Sequence, residues 1–303
     1  MKIFNLRLAL SLSLIFMFNF EVNAQNSTIE EVIVSAEKRD ESLQDISQAV
    51  SALTDSDLEN KNIESFVDLS AIVPGVTVSK NEGYKTVISI RGVGNETNQN
   101  AIAAPSVAFH IDGVFIASPF SLLSDFIDID RIEVLRGPQG TLFGQNSTGG
   151  AINVISKKPT TDDYYGKADV TLGNYDLLKY RSSVNIPINE KVATRFSFSS
   201  TERDGFSENI VNGQDLDDAN NLSLRSDWVI ETSETSSLRI FAQYFDIDRN
   251  GAAMRGIDDQ TAGIRHLAQD TLSNQELTSK VFAAIYEQDL GYANLKILAS
   301  SQE

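Results

Sequence analysis

The sequence contains no cysteine, and it has only two histidines and one tryptophan among its 303 residues. Without cysteine there can be no disulfide framework, no thiolate zinc site and no cysteine nucleophile. The two histidines, His110 and His266, are too few for a histidine-rich site, so no metal centre and no cofactor are expected. No serine, histidine and aspartate follow one another with the spacing of a hydrolase elbow, and no catalytic carboxylate pair stands out, which argues against an enzyme.

Basic residues and long apolar runs are scarce as well. The chain has 25 lysines and arginines against 42 aspartates and glutamates, a formal charge of −17 at pH 7. A nucleic-acid partner is not expected, because affinity for phosphates needs a basic face. Past the N-terminus, no stretch approaches the about 18 uninterrupted apolar residues of a transmembrane helix. This does not exclude a membrane β-barrel, because the strands of such a barrel are only half apolar.

The first 24 residues are organised like a secretory signal peptide. A positively charged start is followed by a mostly apolar run over residues 8–20, and Ala24 precedes the expected cleavage site. An uncleaved membrane anchor is the alternative, but Asn19 and Glu21 interrupt the run. The sequence therefore predicts export of a mature chain that begins near Gln25.

The exported chain divides at a polar stretch around Pro159. Residues 37–158 combine short strands, short helices and many glycine turns, which predicts a mixed α+β domain. Residues 164–303 alternate apolar and polar side chains with a period of two, which predicts about seven antiparallel strands. Residues 25–36 form an extension ahead of both regions.

The connections in the second region alternate in length. Residues 189–191 and 231–236 make short turns, whereas residues 204–219 and 250–274 make long ones. An outer-membrane barrel, with short periplasmic turns and long external loops, gives this pattern. A soluble β-sandwich is the alternative, but it offers no reason for alternating loop lengths. Because an odd number of strands cannot close such a barrel, we expect the chain to be the N-terminal fragment of a longer protein.

Five short motifs follow one another after the signal peptide. They occupy residues 30–36 (EEVIVSA), 90–92 (IRG), 111–114 (IDGV), 132–140 (IEVLRGPQG) and 149–154 (GGAINV). In this order they resemble the TonB-dependent outer-membrane receptors, and the resemblance covers essentially the whole mature chain. It implies that residues 37–158 form a plug domain inside a transmembrane β-barrel of about 22 strands, of which this chain holds the first part.

The resemblance implies that the first motif is similar to the TonB box, which pairs as a strand with the periplasmic TonB protein and its inner-membrane energising complex. The residues concerned are Glu30, Glu31, Val32, Ile33, Val34, Ser35 and Ala36. From the residues alone, this is a β-prone segment with no hairpin partner next to it, which suits it to adding onto the sheet of another protein. An ordinary edge strand of its own domain is the alternative.

The resemblance also implies that plug arginines pair with barrel acids. Arg91 and Arg136 match the motif positions, and Glu133 is a third member of the same set. The alternative is that all three make simple salt bridges beside turns.

The function implied is energised uptake of a scarce ligand through the outer membrane, above all of a ferric siderophore. Cobalamin, haem and oligosaccharides remain open, and a surface adhesion module without transport is a different class of function. Ligand contacts are expected from polar loop residues Asn98, Gln99 and Asn100, for which a plain solvated loop is the alternative. The acidic loop over residues 202–218 either gathers cations or keeps the loop soluble.

Overall fold

The computed structural model describes residues 32–35, 41–81, 85–94, 105–118, 126–256 and 263–303. The signal-peptide region and the proposed ligand residues Asn98, Gln99 and Asn100 lie outside these ranges, as do Glu30, Glu31 and Ala36. Within the described ranges, no helix is both long enough and apolar enough to cross a bilayer.

The N-terminal domain contains ten strands and three short α-helices among the described residues. In chain order they are β1 (Ile33–Val34), β2 (Glu41–Ser42), β3 (Val50–Thr54), α1 (Asp55–Asn60), α2 (Leu69–Ile72), β4 (Val76–Asn81), β5 (Lys85–Ile90), β6 (Val93–Gly94), β7 (Val107–Ile111), β8 (Val114–Phe115), β9 (Ile129–Arg136), α3 (Gly140–Phe143) and β10 (Gly150–Ser156), with a 3-10 turn at Phe66–Asp68 before α2. The predicted mixed α+β character is confirmed.

The strands of this domain form one main sheet with the order β3-β9-β10-β7-β8 and a smaller one with the order β4-β5-β6. Strands β10 and β7 are parallel, and the other neighbours in both sheets are antiparallel. Aromatic rings fill the centre of the core, where Phe66 meets Phe109 and Phe126 edge to face at centroid distances of 4.6 and 4.5 Å. Such pairs add to the stabilisation that comes from burial alone.

The second region is a seven-stranded antiparallel sheet, joined in chain order apart from three short strands in its long connections. The described strands are β11 (Tyr165–Leu172), β12 (Leu178–Asn189), β13 (Val192–Arg203), β14 (Ser207–Asn209), β15 (Gln214–Leu216), β16 (Ala219–Ser233), β17 (Ser236–Asn250), β18 (His266–Leu267), β19 (Asn274–Asp289) and β20 (Asn294–Gln302). The order β11-β12-β13-β16-β17-β19-β20 confirms the predicted number and up-and-down arrangement of strands.

The two faces of this sheet differ because side chains alternate along each strand. The outer face carries exposed apolar residues such as Val170, Leu172 and Phe282. The inner face carries polar and charged residues, and Phe241 on this face is buried in the same hydrophobic core as the centre of the N-terminal domain. The inner face of the seven-stranded sheet is therefore packed against that domain.

The alternation of loop lengths is also confirmed. At one rim, two residues join β12 to β13, two join β16 to β17, and four join β19 to β20. At the other rim, the connections over residues 204–218 and 251–273 are long, and they are tied together because β14 in the first pairs with β18 in the second. We call the second rim the loop rim.

Candidate functional site at the domain interface

A fully buried polar contact between the two regions begins at the turn that joins β7 to β8. Asp112 and Gly113 both have positive φ angles, +51° and +86°, as a tight hairpin turn of this length requires. Gly113 lies so close to the seven-stranded sheet that a Cβ atom there would be 3.3 Å from Leu298 Cδ1. The Asp-Gly turn thereby places the Asp112 carboxylate against the inner face.

Two arginines of the sheet meet that carboxylate. Arg225 Nη2 donates to Asp112 Oδ2 at 2.6 Å, and Arg239 Nη1 donates to Oδ1 at 3.2 Å. The backbone N–H of Ser156 donates to the same Oδ1 at 3.0 Å. Asp227 completes the group, since it accepts from Arg225 at 2.9 Å and from Arg239 at 2.6 Å. We call these four charged residues the interface quartet.

The interface quartet is charge-balanced and closed to solvent. Its four side chains are between 1% and 7% exposed, so each charge depends on the others for compensation. Burial by itself opposes ionisation of Asp112, but the nearby Arg239 and Arg225 guanidiniums outweigh burial and lower the pKa of Asp112 to about 2. Arg225 also stacks on the Phe241 ring, 4.1 Å from its centroid, which adds a cation–π contact.

Two further ion pairs join the N-terminal domain to the sheet. Asp128 of the N-terminal domain accepts from Arg195 Nη2 at 2.7 Å and from Ser197 Oγ at 2.6 Å. Glu64 accepts from Lys179 Nζ at 2.9 Å. In each of these pairs, as in the contacts of Asp112 with Arg225 and Arg239, the N-terminal domain provides the acid and the sheet provides the base.

None of the three residues predicted to pair across the interface forms an ion pair with the seven-stranded sheet in the described part of the chain. Glu133 pairs with Arg131 of its own strand at 2.9 Å, and Arg136 donates to Ser51 Oγ at 2.9 Å, also within the domain. Arg91 is exposed at a turn with φ +54° and makes no ion pair with any described residue. The plug-to-barrel pairing of these three residues finds no contact in the described part of the chain and stays a prediction.

The residues that do join the two regions were not singled out from the sequence. One signal was available: Arg225 and Asp227 lie on the polar face of a strand that is apolar on its other face. Charged residues on a face that is closed to solvent need partners of opposite charge. Asp112 carried a weaker signal, because an Asp-Gly pair indicates only a turn.

The N-terminal segment is docked on its own domain. β1 pairs antiparallel with β2, with Ile33 opposite Ser42 and Val34 opposite Glu41, so the expectation that this strand has no hairpin partner is wrong. The Val34 side chain is fully buried in a small apolar cluster that includes Leu135. The pairing could not be recognised from the sequence, because each strand is only two residues long.

At the loop rim, three connections meet around one arginine. The Arg265 guanidinium lies 5.6 Å from the Tyr175 ring centroid and 5.0 Å from that of Phe206. The backbone reinforces this contact, since Glu208 N donates to Arg265 O and Asp204 N donates to Tyr175 O. Arg265 and Tyr175 are both exposed, so a cation and an aromatic ring face solvent together.

Acids of the long loop bind its neighbours. Asp217 accepts from Ser207 Oγ at 2.6 Å and from the backbone of Ala253 at 3.0 Å. Asp218 accepts from the backbone of Asn250, and burial raises the pKa of its carboxyl above the ordinary value. Among the described residues, no group of three or more histidines and acids is arranged to hold a metal ion. These two acids therefore hold the loops to one another.

Comparison with known proteins identifies the family of the N-terminal domain. The family model described as the TonB-dependent Receptor Plug Domain matches residues 42–151. Residues 42–151 are a TonB-dependent receptor plug domain. The N-terminal domain is accordingly the plug, and the seven-stranded sheet corresponds to barrel strands.

The relatives agree with this family. An iron-regulated outer membrane virulence protein of Vibrio cholerae is 33% identical over 157 residues, which cover 50% of this chain and 24% of that protein. A vitamin B12 transporter of Vibrio vulnificus is 27% identical over 186 residues, which cover 61% of this chain and 30% of that protein. The matched part thus spans about a quarter to a third of these curated relatives.

Solved structures show the same fold. The ferric yersiniabactin uptake receptor of Yersinia pestis has a TM-score of 0.72 at 18% identity, with 84% of this chain and 40% of that chain covered. The ferripyoverdine receptor of the Pseudomonas aeruginosa outer membrane has a TM-score of 0.69 at 19% identity, with 89% of this chain and 36% of that one covered. The plug is therefore followed by part of a barrel, and the predicted outer-membrane location is confirmed.

Proposed function

We propose that this chain belongs to a receptor that takes up a scarce ligand through the outer membrane, with energy delivered by the periplasmic TonB protein. The seating of the plug on the barrel strands is the observation that carries the proposal. Asp112, Asp128 and Glu64 hold the plug to the inner face through buried or half-buried ion pairs. A ligand cannot diffuse through a pore closed in this way, so the plug must open or move for uptake.

A pull on the N-terminal segment suits this task. Local opening of a small domain costs less free energy than its global unfolding. The described part of the segment, residues 32–35, lies at the edge of the plug and pairs with only two residues of β2. A partner that adds as a strand to this segment would therefore apply force where the plug is least tightly held.

For the ligand, we propose a ferric siderophore. Relatives with iron-related names support this choice, namely the iron-regulated protein of Vibrio cholerae and a ferripyoverdine receptor of Pseudomonas aeruginosa. The arginine at the loop rim supports it as well. A guanidinium such as Arg265, beside Tyr175 and Phe206, can donate hydrogen bonds to the anionic oxygens of a ferric chelate.

Cobalamin is the second candidate, because the vitamin B12 transporter of Vibrio vulnificus aligns over 61% of this chain. One uptake experiment separates the two. The gene is deleted in the bacterium that carries it, and uptake of radioactive ferric chelates and of radioactive cobalamin is measured with and without a plasmid copy. Loss of uptake of one or more ferric chelates, restored by the plasmid, supports the siderophore. Loss of cobalamin uptake alone replaces it with the vitamin.

Deletion of the N-terminal segment distinguishes energised transport from the alternative of an adhesion module without transport. A plasmid copy that lacks residues 30–36 should bind the ligand at the cell surface but should not import it. If this copy restores uptake fully, coupling to TonB through this segment is refuted.

A further inference from the structure

One edge of strand β1 pairs with β2. Its other edge, which we call the open edge, pairs with no strand among the described residues. Leu43 N donates to Val32 O at 2.9 Å, and Val34 lies opposite Glu41, so the backbone groups of Val32 and Val34 face β2. Backbone groups alternate in direction along a strand, and those of Ile33 and Ser35 therefore face away from β2. An incoming strand would have to form its hydrogen bonds on this second edge.

The carboxylate of Glu133 already occupies that edge. Ser35 N donates to Glu133 Oε1 at 2.8 Å, and Ser35 Oγ lies 3.2 Å from the same oxygen. Glu133 itself is fully buried, on strand β9, which lies between β3 and β10 in the main sheet of the plug. The bond is charge-assisted and partly buried, and charge-assisted bonds are about twice as strong as neutral ones.

Glu133 also has partners that do not depend on the segment. Arg131 Nε donates to Oε1 at 2.9 Å, and Asn153 Nδ2 donates to Oε2 at 3.1 Å. The carboxylate therefore stays compensated when Ser35 leaves, and no buried charge is left without a partner. Release of the segment costs the contacts of Ser35 and Val34 but does not disrupt the interior of the plug.

We propose that Glu133 is a positioning residue that withholds the open edge of β1 from the TonB strand and so sets how often the N-terminal segment is available. The inference rests on the proposed coupling to TonB. A partner strand and the Glu133 carboxylate compete for the same Ser35 N–H, so the two states exclude each other. Weakening the carboxylate should release the segment without any ligand.

The absence of cysteine makes a direct test possible. Ile33 is 42% exposed, so a single cysteine introduced there carries a spin label without disturbing the core. The full-length receptor is used, after any cysteine outside these 303 residues has been replaced by serine. The mobile fraction of the label and the Kd for the purified periplasmic domain of TonB are measured. Glu133→Gln keeps the shape of the side chain and removes its charge. Asp130→Asn is the matched control, because Asp130 lies on the same strand and pairs with the same Arg131 without touching the segment.

We expect Glu133→Gln to raise the mobile fraction about tenfold and to lower the Kd for TonB by a similar factor. Asp130→Asn should change neither. Ser35→Ala removes the hydroxyl contact from the N-terminal segment and leaves the core of the plug unchanged. The mobile fraction should then rise about two- to threefold.

Two results have opposite meanings. An unchanged label in both Glu133→Gln and Ser35→Ala, with both variants folded, overturns the positioning role of Glu133. A label that is released as expected, together with no TonB binding by any form including the parent, overturns the proposed function and leaves the docking by Glu133 in place.

Discussion

Asp112 and Arg225 form a 2.6 Å ion pair between a hairpin turn of the plug and the fourth strand of the barrel sheet, and both side chains are at most 2% exposed. The two residues are 113 positions apart in the sequence. Because each also contacts a further charge, Asp112 with Arg239 and Arg225 with Asp227, the pair fixes the position of the plug against two neighbouring strands at once. The interface quartet is therefore the point at which the plug is most directly anchored.

Asp112→Asn should weaken this anchor strongly. It removes one of two acids that compensate two buried arginines, and removal of one partner from a buried pair costs about 3 kcal/mol or more. Hydrogen exchange of the backbone amides in β7 and β10 measures the free energy of plug opening, and this value should fall by about 3 kcal/mol. Glu59→Gln is the control, because the pair of Glu59 and Lys167 also joins plug and barrel but is about half exposed. A fall of less than 1 kcal/mol is expected for the control, and equal effects in both variants would contradict the assignment.

Because the pKa of Asp112 is lowered, the free energy of plug opening should depend on pH in the acid range. The pKa of Asp112 is lowered from 3.8 to about 2, so its contribution to stability is complete above about pH 4 and is lost as the pH falls toward 2. The shift corresponds to about 2 kcal/mol. The opening free energy should therefore fall across this range in the parent protein. In Asp112→Asn the fall should be smaller by that amount, and identical pH profiles for the two proteins would rule the effect out.

Gly113→Ala should be more harmful than Gly92→Ala. Both glycines have similar positive φ angles, +86° and +77°, which cost alanine about 1–2 kcal/mol. Only at Gly113 does the added Cβ meet a neighbour, since Leu298 Cδ1 would lie 3.3 Å away, whereas at Gly92 the space is open. Thermal unfolding should show a larger loss for Gly113→Ala. In a Leu298→Ala background, the excess over Gly92→Ala should disappear; its persistence would show that the contact does not matter.

Val34→Ala should loosen the N-terminal segment, whereas Ile33→Ala should not. Val34 is fully buried, and removal of two carbon atoms from such a site costs about 2 kcal/mol. Ile33 is 42% exposed, and its truncation should cost less than about 0.5 kcal/mol. Protease cleavage within the segment in native outer membranes measures the difference. Equal cleavage of the two variants would show that docking does not depend on burial of Val34.

Arg265→Ala should lower the affinity for a ferric siderophore about tenfold if the loop rim binds the ligand through a charged fork. Arg265→Lys keeps the charge but not the planar fork that stacks on Tyr175 and Phe206, so it should recover only part of the loss. Binding of the labelled chelate to whole cells gives both values. Parent-like binding by Arg265→Ala would remove this residue from the ligand site.

Much of the barrel region could be predicted from the sequence alone. The period of two over residues 164–303 identified the seven strands, and the same alternation assigned Val170 and Leu172 to one face. This worked because neighbouring strands of the sheet follow one another along the chain, so the order of pairing follows the order of the strands in the sequence. Short turns such as the one between Asn189 and Val192 leave the chain no other way to pair.

The plug was harder to predict in detail. The short helix Gly140–Phe143 lies in a glycine-rich stretch that indicated only turns, and the pairing of β1 with β2 involves strands of two residues each. Such elements have no periodicity from which to recognise them. They exist because the surrounding core holds them, as the buried side chains of Val34 and Phe143 show.

The alternation of the strands, the order of the receptor motifs and the strong negative charge can all be read from the amino acids in order. Which charges meet depends on the folded protein. Arg225 and Arg239 are recognisable as inward-facing from their positions on strands, but nothing local says that their partner in the plug is Asp112 rather than another acid such as Glu133. The reason is that pairing across the interface depends on how one folded region seats on another, and the free energy of a buried charge depends on every group within a few ångströms of it.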